Sequence, residues 1–503
     1  MKKLYITTPL YYVNDKPHIG HGYTTILADV FSRYNKMYGK DVFFLTGTDE
    51  HGQKVQEAAF KLNTTPKKHV DKFYKNYTEL WKKLNIKYDR FIRTTEKNHI
   101  QKVQKMLMNL WESDEIYIDE YEGLYSVSEE RFITEKEYDE GNYREVTKLK
   151  EKNYFFKMSK YQEKLIKHIH DNPSFIIPET RKNEVLGFLK KPLDDLCISR
   201  PKSRLKWGIE IPFDKDYVTY VWFDALLNYI TGVEWDNDQK TFEKWWPANY
   251  HLIGKDIITT HAVYWITMLM ASKLPLPKHI LAHGWWLMDN TKISKSLGNV
   301  INPIDLIEDY SEDALRFFLM REMTLGQDST FSFDLFKKRY NDDLANDLGN
   351  LLNRITILIR KFCNASVPSI ISPDKNDENL ISQAIELPKK CLKNIQDFKI
   401  NNTIESIMEV IRSTNKYLEI KQPWKSLKSD QKNQSGLNSL SISCETIAIS
   451  AKLLYPVMPN KCEQIFNILN IEESTVNDLG FEKVSGNKIK EHKALFPRIE
   501  NDS

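Results

Sequence analysis

The segment from Leu4 to Leu45 most constrains the fold, because it reads as strand, helix and strand in succession. Leu4 to Thr8 is a short run of buried-strand type. Pro9, Asn14, Asp15 and Pro17 break it into a loop. Leu27, Val30, Phe31 and Tyr34 then recur at i, i+3, i+4 and i+7, one face of a helix. Gly39 suits its C-terminal cap. Val42 to Leu45 reads as a second strand, closed by Gly47. Such a unit predicts a parallel sheet. Ligands of parallel sheets bind at the carboxyl ends of the strands. His18 and Asp49 both follow strands, so both are expected at that edge.

Further strands are expected at Val218 to Trp222, His251 to Ile253 and Ile280 to His283. Between Ile116 and Ile211 helical periodicity weakens, and charges and aromatics crowd together. That stretch reads as an insertion between two halves of the sheet. After about Leu335 the chain turns helical. Leu344, Leu348, Leu351, Leu352, Ile355 and Ile359 mark one apolar stripe. Ser372 to Glu378 and Ser426 to Gln434 read as polar loops between later helices.

Bulk composition excludes more than it identifies. A net charge of +3 over 503 residues does not announce a nucleic-acid binder, so any RNA surface must be local. No apolar run approaches the roughly 18 residues of a membrane helix. Cys197, Cys363, Cys391, Cys444 and Cys462 form no CxxC pair, which argues against a zinc knuckle or a disulfide framework. A cytoplasmic home is the simplest expectation.

Two short motifs bring chemistry to the sheet edge. His18, Ile19, Gly20 and His21 spell HIGH, and Lys292, Ile293, Ser294, Lys295 and Ser296 spell KISKS. Gly20 lets a ligand approach the backbone. The histidines share a face at a helix start, where the dipole favours anions. The lysines make a cationic loop. Alone, the histidines could merely cap a helix and the lysines could be a solvated turn. Their order and context carry the stronger reading, a site for ATP.

With this pair, the chain resembles the class I aminoacyl-tRNA synthetases over essentially its whole length. Pro9-Leu10-Tyr11-Tyr12, Thr46 to Gly52, Tyr220 to Leu226 with Tyr229, and Gly254 to Ile257 leading to His261 and Trp265 resemble the methionyl branch. The resemblance implies a Rossmann-like parallel-sheet catalytic domain at 1–115 and 212–290, split by a connective insertion at 116–211. A KISKS loop and stem-contact region at 291–335 and an α-helical bundle anticodon-binding domain at 336–503 follow. The implied activity is methionine–tRNA ligation through a methionyl-adenylate. Another class I ligase for an apolar amino acid, or a silent tRNA-binding paralogue, would be the alternatives. The insertion is small beside the editing domains of the leucine, isoleucine and valine relatives.

The resemblance also implies roles. ATP, arriving with Mg²⁺, falls to His18, Gly20, His21, Asp256, Lys292 and Lys295; Arg200 joins the catalytic group, and Glu210 is implied as a further active-site contributor. Methionine falls to Leu10, Tyr12, Asp49, Trp222, Ala225, Leu226, Tyr229, Ile257, His261 and Trp265, with Asp49 on the ammonium. Aromatic walls suit a polarizable thioether. Asn350 and Arg354, four apart on one helix face, and Trp424 resemble the residues that read the anticodon of tRNA(Met). Ile293 stands where the family usually has Met, and Thr260 where some members have an aromatic. Ser126 and Glu129 occupy positions of zinc-binding cysteines in other members, so a metal-free insertion is expected. A monomer is expected too.

Overall fold

The computed structural model describes residues 2–14, 16–126, 131–133, 138–139, 146–288, 291–292, 301–472 and 478–500. The chain forms two compact units. One holds Met1–Pro17, Asp41–Trp81 and Lys87–Gly284; the other holds His18–Lys40, Lys82–Ile86 and Trp285–Ser503.

The first unit is built on a seven-stranded sheet. Its order is Tyr11–Tyr12, Asp41–Asp49, Lys3–Thr7, Tyr250–Gly254, His279–His283 and Ile176–Ile177, with Arg90–Arg93 also paired to Asp41–Asp49. Every pairing is parallel, as the opening segment predicts. Parallel strands bury both faces, and Leu45, Ile92, Ile253, Ile280 and Ala282 lie in one core. The strand expected to close at Gly47 runs on to Asp49. A Cβ at Gly47 would lie 2.0 Å from the Ile92 carbonyl oxygen, so this glycine marks a close strand approach rather than a stop.

A four-stranded antiparallel sheet fills much of the expected insertion. Its ribbon pairs Ile116–Ser126 with Val146–Phe156 along their whole length. Within the same range Ile176–Ile177 returns to the main sheet beside His279–His283. One expected strand is corrected. Asp214–Thr219 is a strand, but Val221–Leu226 is a helix with Tyr220 as its N-cap. The β-branched and aromatic run imitates a strand, yet the chain turns helical at Tyr220, whose φ is −61° and ψ 134°.

The second unit gathers the helix Ile19–Met37 with the C-terminal helices. Leu27, Val30, Phe31 and Tyr34 are buried. The Tyr34 hydroxyl donates to the Leu453 carbonyl at 2.8 Å. The stripe from Leu344 to Ile359 is buried, running through a π-helical turn at Tyr340–Gly349 into the helix Asn350–Phe362. The expected polar loops are shorter than read. A helix already starts at Lys375, capped by Asp374 and Asp377 reciprocally, and Pro423–Ser429 is also helical. These polar residues are caps, which resemble loops in composition. No helix among the described residues is long and apolar enough to cross a membrane.

Candidate active site

His18 is the N-cap of the helix Ile19–Met37, and the two histidines form a reciprocal capping box. The Gly20 N–H donates to His18 Nδ1 at 3.1 Å, and the His18 N–H donates to His21 Nδ1 at 3.1 Å. The ring centroids are 3.9 Å apart. An imidazole that accepts at Nδ1 carries its proton at Nε2. Each ring is therefore an N–H donor, at a helix end that already favours anions. A Cβ at Gly20 would sit 3.0 Å from His18 Cε1, so a larger residue would push that ring aside. Lys292 lies in the short strand Thr291–Lys292, opposite Leu287. Ile293, Ser294, Lys295 and Ser296 lie outside the described residues.

In the first unit, Leu226, Tyr229 and Trp265 belong to one buried cluster, with Leu10, Trp222 and Ile257 packed against it. The His261 Nδ1–H donates to the Ile257 carbonyl at 2.9 Å, so His261 Nε2 accepts from the Tyr229 hydroxyl at 2.7 Å. Burial pushes the His261 pKa down to about 4, so the ring is neutral at physiological pH. Trp222 meets His261 edge-on at 6.3 Å, and Tyr229 lies 5.9 Å from Trp265. Ala225 is buried on the same helix as Trp222. This end offers aromatic walls with one neutral polar pair, which suits an apolar, polarizable side chain.

Asp49 ends its strand directly opposite Tyr12 and is buried. The residues after it are locked by two polar clusters that sequence reasoning did not single out. Arg93 donates to Glu50 Oε1 and Oε2 at 2.7 and 2.9 Å, and the fully buried Glu50 also accepts from Thr48 at 2.8 Å. Asp224 accepts from His51 Nδ1 and His99 Nε2, both at 2.7 Å. Burial works against the Asp224 charge, but the two imidazoles outweigh it and hold the carboxyl below its usual range. Asp224 thereby ties the segment after Asp49 to the helix bearing Trp222 and Ala225. The available signal was an Asp inside the otherwise apolar run Val221 to Leu227. Its partners are too distant in sequence to be paired by inspection.

Arg200 is buried between aromatic rings, 5.4 Å from Tyr125 and 4.6 Å from Tyr220, and donates to the Ser199 carbonyl at 2.7 Å. Glu210 is exposed and paired with Lys202. Asp256 is exposed in the turn Lys255–Ile257, at the carboxyl end of Tyr250–Gly254. A Cβ at Gly254 would come 2.6 Å from Asp256 Oδ1, so a larger residue would push that carboxylate aside.

In the second unit, Arg354 and Trp424 come together. The guanidinium lies 5.8 Å from the indole ring and donates to Glu419 at 2.5 Å. Gln422, in the left-handed region at φ 44°, ends one helix, and Pro423 starts the next. That break sets Trp424 half-buried at a helix start. Asn350 is exposed, one turn before Arg354 on the helix Asn350–Phe362.

Comparison with known proteins identifies the family. Residues 4–144 and 142–356 match the family described as tRNA synthetases class I (M). Residues 377–501 match the anticodon-binding domain of tRNA ligase. A methionine–tRNA ligase of Clostridium tetani is 45% identical, with 99% of this chain and 79% of the relative covered. One of Clostridium acetobutylicum is 44% identical, with 100% and 79% covered. The Mycobacterium tuberculosis methionyl-tRNA synthetase in complex with methionyl-adenylate superposes with a TM-score of 0.96 at 37% identity, covering 99% of this chain and 100% of the other.

Proposed function

The chain belongs to the methionyl-tRNA synthetases of class I and ligates methionine to tRNA, and from that premise we propose how its own residues divide the work. A methionine carboxylate oxygen attacks the α-phosphorus of ATP, and pyrophosphate leaves. The terminal ribose hydroxyl of tRNA then attacks the adenylate's acyl carbon, and AMP leaves. Neither step needs a protein nucleophile. Catalysis rests on positioning and on donors aimed at phosphate oxygens.

His18 and His21 supply such donors through Nε2–H. Lys292 and Lys295 neutralise the triphosphate, Gly20 admits it, and Asp256 holds the ribose. Arg200 joins them as a fixed buried cation. Asp49 pairs with the methionine ammonium. Leu10, Tyr12, Trp222, Ala225, Leu226, Tyr229, Ile257, His261 and Trp265 enclose the side chain. The neutral Tyr229–His261 pair carries this reading, because it offers polarity to the sulfur without a charge. Mg²⁺ arrives with ATP, held by phosphate oxygens and water, and no protein ligand is assigned to it.

The test separates the two steps. ATP–pyrophosphate exchange should require methionine and fail with leucine or isoleucine. Trp424→Ala should leave that exchange unchanged and lower aminoacylation of tRNA(Met) at least about fivefold, since base stacking is worth roughly 1–3 kcal/mol. Exchange driven by leucine alone would sink the substrate assignment. Unimpaired aminoacylation by the Trp424 variant would sink the anticodon assignment.

The insertion is read as metal-free. Ser126, at the end of Ile116–Ser126, stands where zinc-binding members carry cysteine; the position of Glu129 lies outside the described residues. Elemental analysis should find far less than one zinc per chain, and a stoichiometric value overturns this reading. The five cysteines are unpaired, which suits a reducing cytoplasm.

A further inference from the structure

We propose that His251, to which no role is assigned above, is a positioning residue for the methionine pocket, holding Trp265 through its second nitrogen and Tyr229 against its face. The proposal rests on the assignment of Tyr229 and Trp265 to methionine. His251 lies in the strand Tyr250–Gly254 and is fully buried. The Trp265 indole N–H donates to His251 Nε2 at 3.2 Å. The ring proton is therefore on Nδ1, which donates to Thr7 Oγ1 at 2.7 Å. The Tyr229 ring lies over the imidazole, with centroids 4.2 Å apart and planes at 34°.

Tyr229 is thus held at three places. Tyr5 donates to its carbonyl at 2.7 Å, His251 supports its face, and His261 accepts from its hydroxyl. Trp265 has its indole N–H fixed by the same imidazole. Only the neutral Nδ1–H tautomer serves both bonds, because a proton on Nε2 would face the indole N–H. Burial, with His261 nearby, holds the His251 pKa well below its usual value. A phenylalanine could fill this volume without the cost of burying an imidazole. What the imidazole adds is direction. It spans from a strand residue, Thr7, to a pocket wall, Trp265, and fixes the angle of the indole.

Two conservative variants divide the two bonds. His251→Gln places an amide oxygen near the Nε2 position and can still accept from the indole. His251→Asn keeps a donor for Thr7 but leaves the indole N–H without its acceptor. In methionine-dependent ATP–pyrophosphate exchange, the Asn variant should raise the methionine KM about tenfold, the scale of one lost buried hydrogen bond. Its ATP KM and kcat should change less than about twofold. The Gln variant should stay within about threefold of the parent. In a Trp265→Phe background, which has no indole N–H, His251→Asn should add no more than about twofold.

An unchanged methionine KM in the Asn variant overturns the proposal. So do equal losses in the Asn and Gln variants, or a full Asn effect in the Phe background. Should the Asn variant fail to fold, Trp265→Phe alone carries the test. It must raise the methionine KM, and no rise overturns the role of the bond. The underlying pocket assignment fails differently: Tyr229→Ala and Trp265→Ala would then both leave the methionine KM unchanged.

Discussion

His21→Asn lowers methionine-dependent ATP–pyrophosphate exchange on the order of a hundredfold while leaving the melting temperature within about 0.5 °C of the parent. The two effects separate because the two ring nitrogens of His21 do different jobs. Nδ1 accepts from the His18 N–H and closes the capping box. An asparagine oxygen at the same place can accept that bond, so the cap survives. A cap is worth about 1 kcal/mol, and losing it would show in the melt. Nε2–H has no counterpart in asparagine, so the variant removes the donor proposed for phosphate. A donor that acts in the transition state lowers kcat and kcat/KM together and leaves the ATP KM nearly unchanged. Exchange within threefold of the parent would assign His21 to the helix cap alone. A parallel fall in melting temperature would do the same.

This prediction joins what the sequence displays to what it hides. HIGH is contiguous, and its residues can be read at once as a helix start with two donors. The tautomer cannot be read, because it depends on which backbone N–H each Nδ1 meets. The parallel sheet was legible for a similar reason. Leu4 to Thr8 and Val42 to Leu45 are separated by one clean helical period. Gly47 misled because punctuation and close packing use the same residue, and only the position of Ile92 distinguishes them. Val221 and Trp222 misled because β-branched and aromatic residues were taken as a strand, while the cap at Tyr220 turns them into a helix.

Buried polar clusters were the least legible part. His51, His99 and Asp224 come from three distant segments, as do Thr7, His251 and Trp265. Each residue alone could be an ordinary buried polar group. Their partners exist only after the sheet assembles, and no local period announces them. The methionine assignments could be proposed because short contiguous segments carry the family pattern. The residues that hold those segments in place lie between or behind them.

Asp313→Asn should raise the melting temperature at pH 8 by a few degrees and by clearly less at pH 5. Asp313 is fully buried in the helix Glu312–Glu322. Its Oδ2 accepts from the Lys461 backbone N–H at 2.5 Å, and Oδ1 has no hydrogen-bond partner among the described residues. Three charged groups share the neighbourhood. Arg316 and Lys461 favour the carboxylate, and Glu312 opposes it. The Arg316 guanidinium is itself engaged by Asp29 at 2.6 Å and by the carbonyls of Leu84, Pro456 and Val457. Burial therefore prevails and raises the Asp313 pKa to about 7. In the unfolded chain an aspartate titrates near about 3.9. Between these values the folded state keeps a proton that the unfolded state releases. Stability from this group is fully present below the unfolded pKa and is lost as pH rises through about 7. The neutral amide has no charge to bury, so the variant escapes that loss. Allowing for relaxation, the gain at pH 8 should be about 1–3 kcal/mol, or roughly 1–2 °C per kcal/mol in the melt of a chain this long. Melting both proteins from pH 5 to pH 8 decides the matter. The gap between them must open as pH rises, and a constant gap would mean that Asp313 keeps its charge throughout.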